Sequence, residues 1–521
     1  MKVRLPRRAL AIGSALALTF GLAACSGGDQ GGGEAGDTIV AETAFNLKTI
    51  DPHRQFEFTG STIDTAIYQT ALEFKDGDLT KPTDGLCSFE MSDDNKKMTL
   101  KLKQKDAKFS NGDPVTMDDV VFSFERLKGM KGNPSFFLDG VSIKKVDEET
   151  VELTSKKPNP ALPYILPNAS IGIVNSKVVK ENEGTTDEKD GAEAFLNENS
   201  QGSGPYKVEK YDADSQVVLT ANEHYNGPEP KYKRVVLRNV SAETQLTDIQ
   251  SGQAQVAYDL NSEQAKQIDG SMGEIASLPS TRSLYIFNNT DEKLGGPAAD
   301  PNFRKAVMSA IDYDKLTDLA GEGSQRMASL VPNEFVGAVP KDQAPEKDLA
   351  KTKKLLKKAG YDGEKIPFHY SSDQSVNGVD LAQLAETLQA QLKEAGINLA
   401  LKPAPSSTQL DGFRSAKQPM GIGTWGADYP DPTNYNVFIP GGSVADRVNW
   451  KSDPKLKKLA AEAEKAKDGD RDAAYAKLYK ATTDTGVWIP LVQPVNTVAV
   501  GSSINTYVSN ADITFDFAKA E

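Results

Sequence analysis

Residues 107–127 read AKFSNGDPVTMDDVVFSFERL. From Asp113 onward the stretch reads as a helix. Asp113 or Thr116 offers a side-chain oxygen to the backbone N–H groups that a helix start leaves free. Just upstream, MTLKLKQ (98–104) alternates apolar and polar at Met98, Leu100 and Leu102, the period-two signal of a strand. Downstream, VSIKKVDEETVELTS (141–155) reads as a hairpin turning at residues 147–150. The first third of the chain therefore mixes α and β.

Between residues 345 and 485 the pattern changes to strands alternating with long helices. DLAQLAETLQAQLKEAG (380–396) puts Leu381, Leu384, Leu388 and Leu392 on one helical face, and Gly396 ends it. INLALKP follows as a strand with Ile397, Leu399 and Leu401 on one side. Residues 453–483 read as two more helices, and VWIPLVQP (487–494) returns to strand. An α/β lobe set into a mixed α/β body fits this order.

At 521 residues, with 38% hydrophobic and 26% charged, the chain reads as soluble and globular and is too long for one core. Its start differs from the rest. Lys2, Arg4, Arg7 and Arg8 precede ALAIGSALALTFGLAA (9–24), an apolar run shorter than the roughly 20 residues a membrane span needs. That is a secretory signal, residues 1–24. It ends Leu22-Ala23-Ala24-Cys25, matching the lipobox at which bacterial lipoproteins are lipidated on the Cys thiol and cleaved before it. Residues 25–36 supply the lipidated Cys25 and a flexible tether, SGGDQGGGEAG, with six glycines in eleven residues. The signal carries four of the 60 basic residues and none of the 73 acidic ones, so the mature balance is 56 against 73, or −17. So large an acidic excess argues against nucleic acid as a partner. Cys87 is the other of two cysteines and reads as a small buried residue.

The three histidines, His53, His224 and His369, have no metal-ligand spacing and read as turn or surface positions. No nucleophile elbow, phosphate-cradling loop or dinucleotide fingerprint is present. No catalytic residue, metal or cofactor is therefore assigned. The stretch GIGTWGADYPDPTNY (421–435) stands out because it sets Asp428 beside Trp425 and Tyr429, and Asp431 between two prolines. On the residues alone, both acids read as turn formers.

Five segments resemble the extracytoplasmic solute-binding proteins of the oligopeptide/dipeptide type that serve ABC importers. They are TIDPH (49–53), residues 107–127, GSGPYKVEKY (202–211), NEHYNGPEP (222–230) and PNFRKAVMSAIDYDKL (301–316). The resemblance implies an α/β, two-lobed periplasmic-binding-protein-like fold of the large class, with the ligand cleft between lobes. Residues 37–280 would form the first lobe, with an extra subdomain at about 70–195. Residues 281–487 would form the second, and residues 488–521 would return to the first.

In peptide binders of that family, the Trp-x-x-Asp of the second lobe lines the cleft and its Asp receives the peptide's α-ammonium. The matching residues here are Trp425 and Asp428, with Tyr429 adjacent. A shielded carboxylate makes a short charge-assisted bond to an ammonium, and an aromatic neighbour adds cation–π attraction. The resemblance also implies a cleft-edge strand at RQFEFTG (54–60), where Phe56, Glu57 and Phe58 could meet a peptide backbone, with a core or surface role equally open. Phe136 and Phe137 fall near an aromatic cleft wall, but core packing suits them better. Three positions depart from the pattern: Ile422 and Ser406 stand where tripeptide-class members carry Arg and Trp, and Arg414 is shifted by one.

The function so implied is a membrane-anchored receptor on the extracytoplasmic face, a monomer that captures a small solute, first of all a peptide, and passes it to ABC permease subunits. Alternatives are a lipid-anchored surface hydrolase, a receptor of the same fold for a nickel chelate, haem or a sugar, and a sensor.

Overall fold

The computed structural model describes residues 36–509 and 514–521. Cys25, the signal and nearly all of the tether lie outside the described residues.

The helix expected from Asp113 onward is Met117–Gly129, and its cap is Thr116. Thr116 and Asp119 bond each other's backbone N–H groups in a capping box, with the Thr116 N–H donating to Asp119 Oδ2 at 2.9 Å. Asp113 instead accepts from Asn111 and Asn175. This helix covers a four-stranded antiparallel sheet ordered Cys87–Met91, Lys97–Leu102, Thr150–Ser155, Val141–Lys145. Met98 and Leu100 on the sheet meet Val120, Phe124 and Leu127 on the helix in one core, and Cys87 is buried in it.

A larger sheet of seven strands runs Gly273–Pro279, Val495–Gly501, Val256–Ala257, Thr38–Thr43, Arg234–Asn239, Gln216–Ala221, Tyr206–Asp212. Arg126 ties the small subdomain to the loop that follows the strand Thr38–Thr43. The guanidinium is fully buried and donates to Asp51 at 2.6 and 2.7 Å and to Asp190 at 2.7 and 2.8 Å. It also donates to His53 Nδ1 at 3.0 Å, while His53 Nε2–H donates to the Gly172 carbonyl at 3.0 Å. His53 sits in a turn, as expected, but is fully buried rather than at the surface. Burial, with the Arg126 charge beside it, pushes its imidazole down to about 4. Asp51, despite burial, is held below the ordinary carboxylate range by Arg126.

The second lobe is a six-stranded sheet ordered Gln325–Arg326, Trp488–Gln493, Arg282–Asn288, Met420–Gly426, Ile366–Ser371, Leu399–Ala404. Leu284 and Ile286 face one core and Tyr285 and Phe287 another, so the sheet is covered on both faces. The helix Leu381–Glu394 buries the four expected leucines, and Gly396, at φ +86°, carries the chain into the parallel strand that follows. Two helices, Pro454–Ala463 and Asp468–Thr483, fill the stretch read as helical.

One boundary differs from the sequence reading. Trp488–Gln493 was expected to begin the return to the first lobe. It lies inside the second lobe's sheet, and the return starts at Val495. An apolar run such as WIPLV marks a strand buried on both faces but not the sheet that receives it. Its register shift falls beside Pro490, which has no N–H for the ladder. The chain thus crosses between lobes at 280–281 and at Pro494. The crossings touch: Ser280 N–H donates to the Pro494 carbonyl at 3.0 Å, and Gln493 Nε2 to the Ser280 carbonyl at 2.8 Å.

Among the described residues no helix is long and apolar enough to cross a membrane.

Candidate functional site

A cavity of about 990 Å³ lies at these crossings, with walls from both lobes. Phe56, Glu57, Phe58 and Tyr258 line it from the first lobe, and Arg282, Gly426, Asp428 and Tyr429 from the second. Five of the six ligand-binding candidates from the sequence therefore meet in one place. Trp425 does not line it.

The second-lobe wall begins with Gly421 to Gly426. Gly421 and Gly423 are needed for close approach rather than for a turn. A Cβ on Gly421 would come within 2.7 Å of the Phe287 ring, and one on Gly423 within 2.4 Å of the Tyr285 ring. Past Gly426 the chain leaves the sheet and presents Asp428. Its carboxylate accepts one side-chain hydrogen bond, from Asn434 Nδ2 at 3.2 Å. Burial raises the Asp428 carboxyl above its ordinary value, and the Asn434 bond offsets part of this. The Asp428 backbone carbonyl accepts from Asn168 Nδ2 of the first lobe at 3.1 Å. Tyr429 faces Phe137 across the lobes, ring centroids 6.4 Å apart.

Asp431 does what its flanking prolines suggest. It caps the turn Pro432–Phe438 through Thr433 and pairs with Arg471 at 2.6 Å. Trp425 packs edge-on against Phe438, centroids 5.2 Å apart, and its indole N–H donates to Asn434 Oδ1 at 3.2 Å.

The segment 54–60 is not a strand. The N–H groups of Arg54 and Gln55 both donate to the Asp51 carbonyl at 2.9 Å, closing a turn, and a helix begins at Phe58. The alternation Phe56-Glu57-Phe58 is too short to outweigh the helical spacing of Thr59, Ile63, Ala66 and Ile67, which are all buried. The Glu57 carboxylate is occupied by the N–H groups of Lys48 and Phe56 at 3.0 and 2.9 Å. No extended edge is offered there for a peptide to join. Phe56 and Phe58 nonetheless keep their rings partly exposed, at 38% and 39%. Phe56 meets Phe136 edge-on at 5.7 Å, and Phe58 meets Tyr258 at 5.6 Å. Phe137 is core, as expected, whereas Phe136 is 40% exposed.

Sequence reasoning missed Asn434, Asn168, Tyr258 and Arg282. Only Asn434 carried a local signal, as a polar residue inside the quoted 421–435 stretch.

Two sheet-based lobes, two touching crossings and a polar, aromatic cavity between them define the class of two-lobed solute-binding proteins. The chain belongs to the bacterial extracellular solute-binding proteins, family 5: residues 82–445 match the model described as "Bacterial extracellular solute-binding proteins, family 5 Middle". It is 28% identical over 488 residues to the probable D,D-dipeptide-binding periplasmic protein DdpA of Escherichia coli K12, covering 91% of this chain and 92% of that protein. It is 24% identical to the dipeptide-binding protein of the same organism, covering 72% and 74%. Among solved structures, the ABC transporter substrate-binding protein CtaP of Listeria monocytogenes shares the fold at TM-score 0.79 and 22% identity, covering 93% of this chain and 98% of that one. DppA of Helicobacter pylori, solved with the peptide STSA, shares it at 0.70 and 22%, covering 93% and 97%.

Proposed function

We propose that the chain is the substrate-binding receptor of an ABC importer, and that its ligand is a peptide whose α-ammonium is neutralised by Asp428. The observation that carries this reading is the Asp428 carboxylate itself. It lines the inter-lobe cavity and, among the described residues, has one neutral hydrogen-bond partner and no counter-ion. An ammonium delivered there gains a charge-assisted bond, and its charge offsets the desolvation that raises the acid. The aromatic rings of Phe56, Phe58 and Tyr429 offer apolar area to ligand side chains. DdpA and the dipeptide-binding protein, both named for peptide ligands, support the same class. Cys25, once lipidated, would hold the receptor at the extracytoplasmic face. The test is mass spectrometry of solute released from gently purified protein. A peptide with a free amino terminus is expected, and a solute without a cationic group would overturn the assignment.

A further inference from the structure

Arg282 is the one cationic side chain among the described residues lining the cavity; four carboxylates, on Glu57, Glu243, Asp259 and Asp428, line it too. Yet Arg282 pairs with none of them. Its guanidinium forms no ion pair and no hydrogen bond to any described residue; the residue is open to the cavity, yet the protein around it desolvates the charge and lowers its pKa. Among the described arginines, Arg126, Arg234, Arg238 and Arg471 are held by carboxylates, whereas Arg304 donates to backbone carbonyls and Arg447 lies over the Phe413 ring. Arg282 opens its strand, two residues past the first lobe crossing, and stands opposite Gly426 in the antiparallel ladder. The absent side chain at Gly426 leaves the guanidinium lying over that backbone, with Arg282 Nη1 3.4 Å from where a Cβ would be.

Resting on the peptide reading above, we infer that Arg282 receives the ligand's α-carboxylate, so that Arg282 and Asp428 together select a short zwitterion. The placement sets the length. Opposed residues of an antiparallel pair lie about 5 Å apart, and two further residues reach at most about 7 Å. Asp428 is two residues beyond Gly426, so the Cα atoms of Arg282 and Asp428 lie within about 12 Å of each other on one lobe. An extended peptide spans about 3.3–3.6 Å per residue, which fits two or three residues between the charged ends. The planar fork of an arginine suits a carboxylate, which it binds through two parallel N–H bonds. This arginine is not at the family position that Ile422 fills here. Ile422 is buried in the sheet core, while Arg282 reaches the same cleft from the neighbouring strand.

The experiment is calorimetry with dipeptides and tripeptides, for example Ala-Phe and Ala-Ala-Phe, against their C-terminal amides and their N-acetyl forms. Wild type is expected to bind the free acids at least roughly 30-fold more tightly than the amides. Arg282→Gln should lose that discrimination while still rejecting the N-acetyl forms, and Arg282→Lys should restore part of it. Neither variant should melt below wild type, since the side chain pairs with no described residue and its charge is desolvated rather than stabilised. If amides bind wild type as tightly as acids, or Arg282→Gln still discriminates, the Arg282 assignment fails while rejection of N-acetyl peptides leaves Asp428 standing. If N-acetyl peptides bind and amides do not, Arg282 stands and Asp428 fails. Binding of none of these peptides overturns both.

Discussion

Asn434 Nδ2 donates to Asp428 Oδ2 at 3.2 Å, and the orientation of that amide is set from its other end. The Trp425 indole N–H can only donate, so the Asn434 oxygen must face it and the amide nitrogen must face the acid. Trp425 therefore acts on the cleft at one remove, by fixing the group that holds Asp428.

Asn434→Ala should leave both the indole and the acid without a partner. The Asp428 carboxyl would rise further, because its lowering contact is gone while its burial remains. Protonation competes with a bound ammonium, so affinity for a free-amine dipeptide should fall as pH drops, from a higher starting pH in the variant. A loss of about 1 kcal/mol, roughly fivefold, is expected at neutral pH. Calorimetry between pH 5 and 8 reads it, and superimposable pH profiles for both proteins would rule the linkage out.

Asp428→Asn keeps an oxygen for Asn434 and removes the charge. Leaving an ammonium unpaired typically costs about 2–5 kcal/mol, so a free-amine peptide should bind roughly 30-fold or more weakly. The melting temperature should hardly move. Wild-type affinity in the variant would remove Asp428 from the anchor role.

His53 makes stability depend on pH. Its folded value, about 4, lies below the ordinary 6.5. The unfolded chain therefore takes up a proton below about 6.5 that the folded one refuses until about 4, so stability falls as pH drops through that window. The full loss is about 3 kcal/mol, present at and below the lower value. Asp51, held low by Arg126, adds a loss at more acid pH. His53→Gln should flatten the slope between pH 6.5 and 4 in urea titrations. An unchanged slope would place the pH dependence elsewhere.

Closure is expected about the crossings at Ser280 and Pro494, with Asn168 and Asp428 among the contacts it tightens. A bound dipeptide at one hundred times its Kd should stabilise the fold by about 2.7 kcal/mol and shrink the radius of gyration. Scattering curves identical with and without saturating ligand would rule out a closing receptor.

Cys25→Ser should release the secreted protein from the membrane fraction, because a thioether lipid with an N-acyl chain supplies the two hydrophobic signals that stable attachment requires. Continued retention, with no lipid mass on the amino-terminal peptide, would refute the anchor.

Elements set by local chemistry were legible in the chain itself. Thr116 with Asp119 marks a helix start through a side chain three residues away, and Leu381 to Leu392 mark a helix face by spacing alone. The 54–60 segment was not legible, because a three-residue alternation carries no information about the carbonyl of Asp51 that folds the turn.

The sequence by itself determined the family resemblance and the acidic balance, and it singled out Asp428 as the acid to watch. Only the tertiary structure decided that Trp488–Gln493 belongs to the second lobe, that Trp425 serves Asn434 rather than the cavity, and that Arg282 lines the same cavity as four carboxylates without pairing with any of them. The physical reason is range. Caps, periods and turn residues act within a few positions, and a sequence displays them directly. Which sheet receives a strand, and which charge goes unpaired, depends on groups brought together from far apart in the chain, as Ser280 and Gln493 are across 213 positions, and no local pattern encodes them.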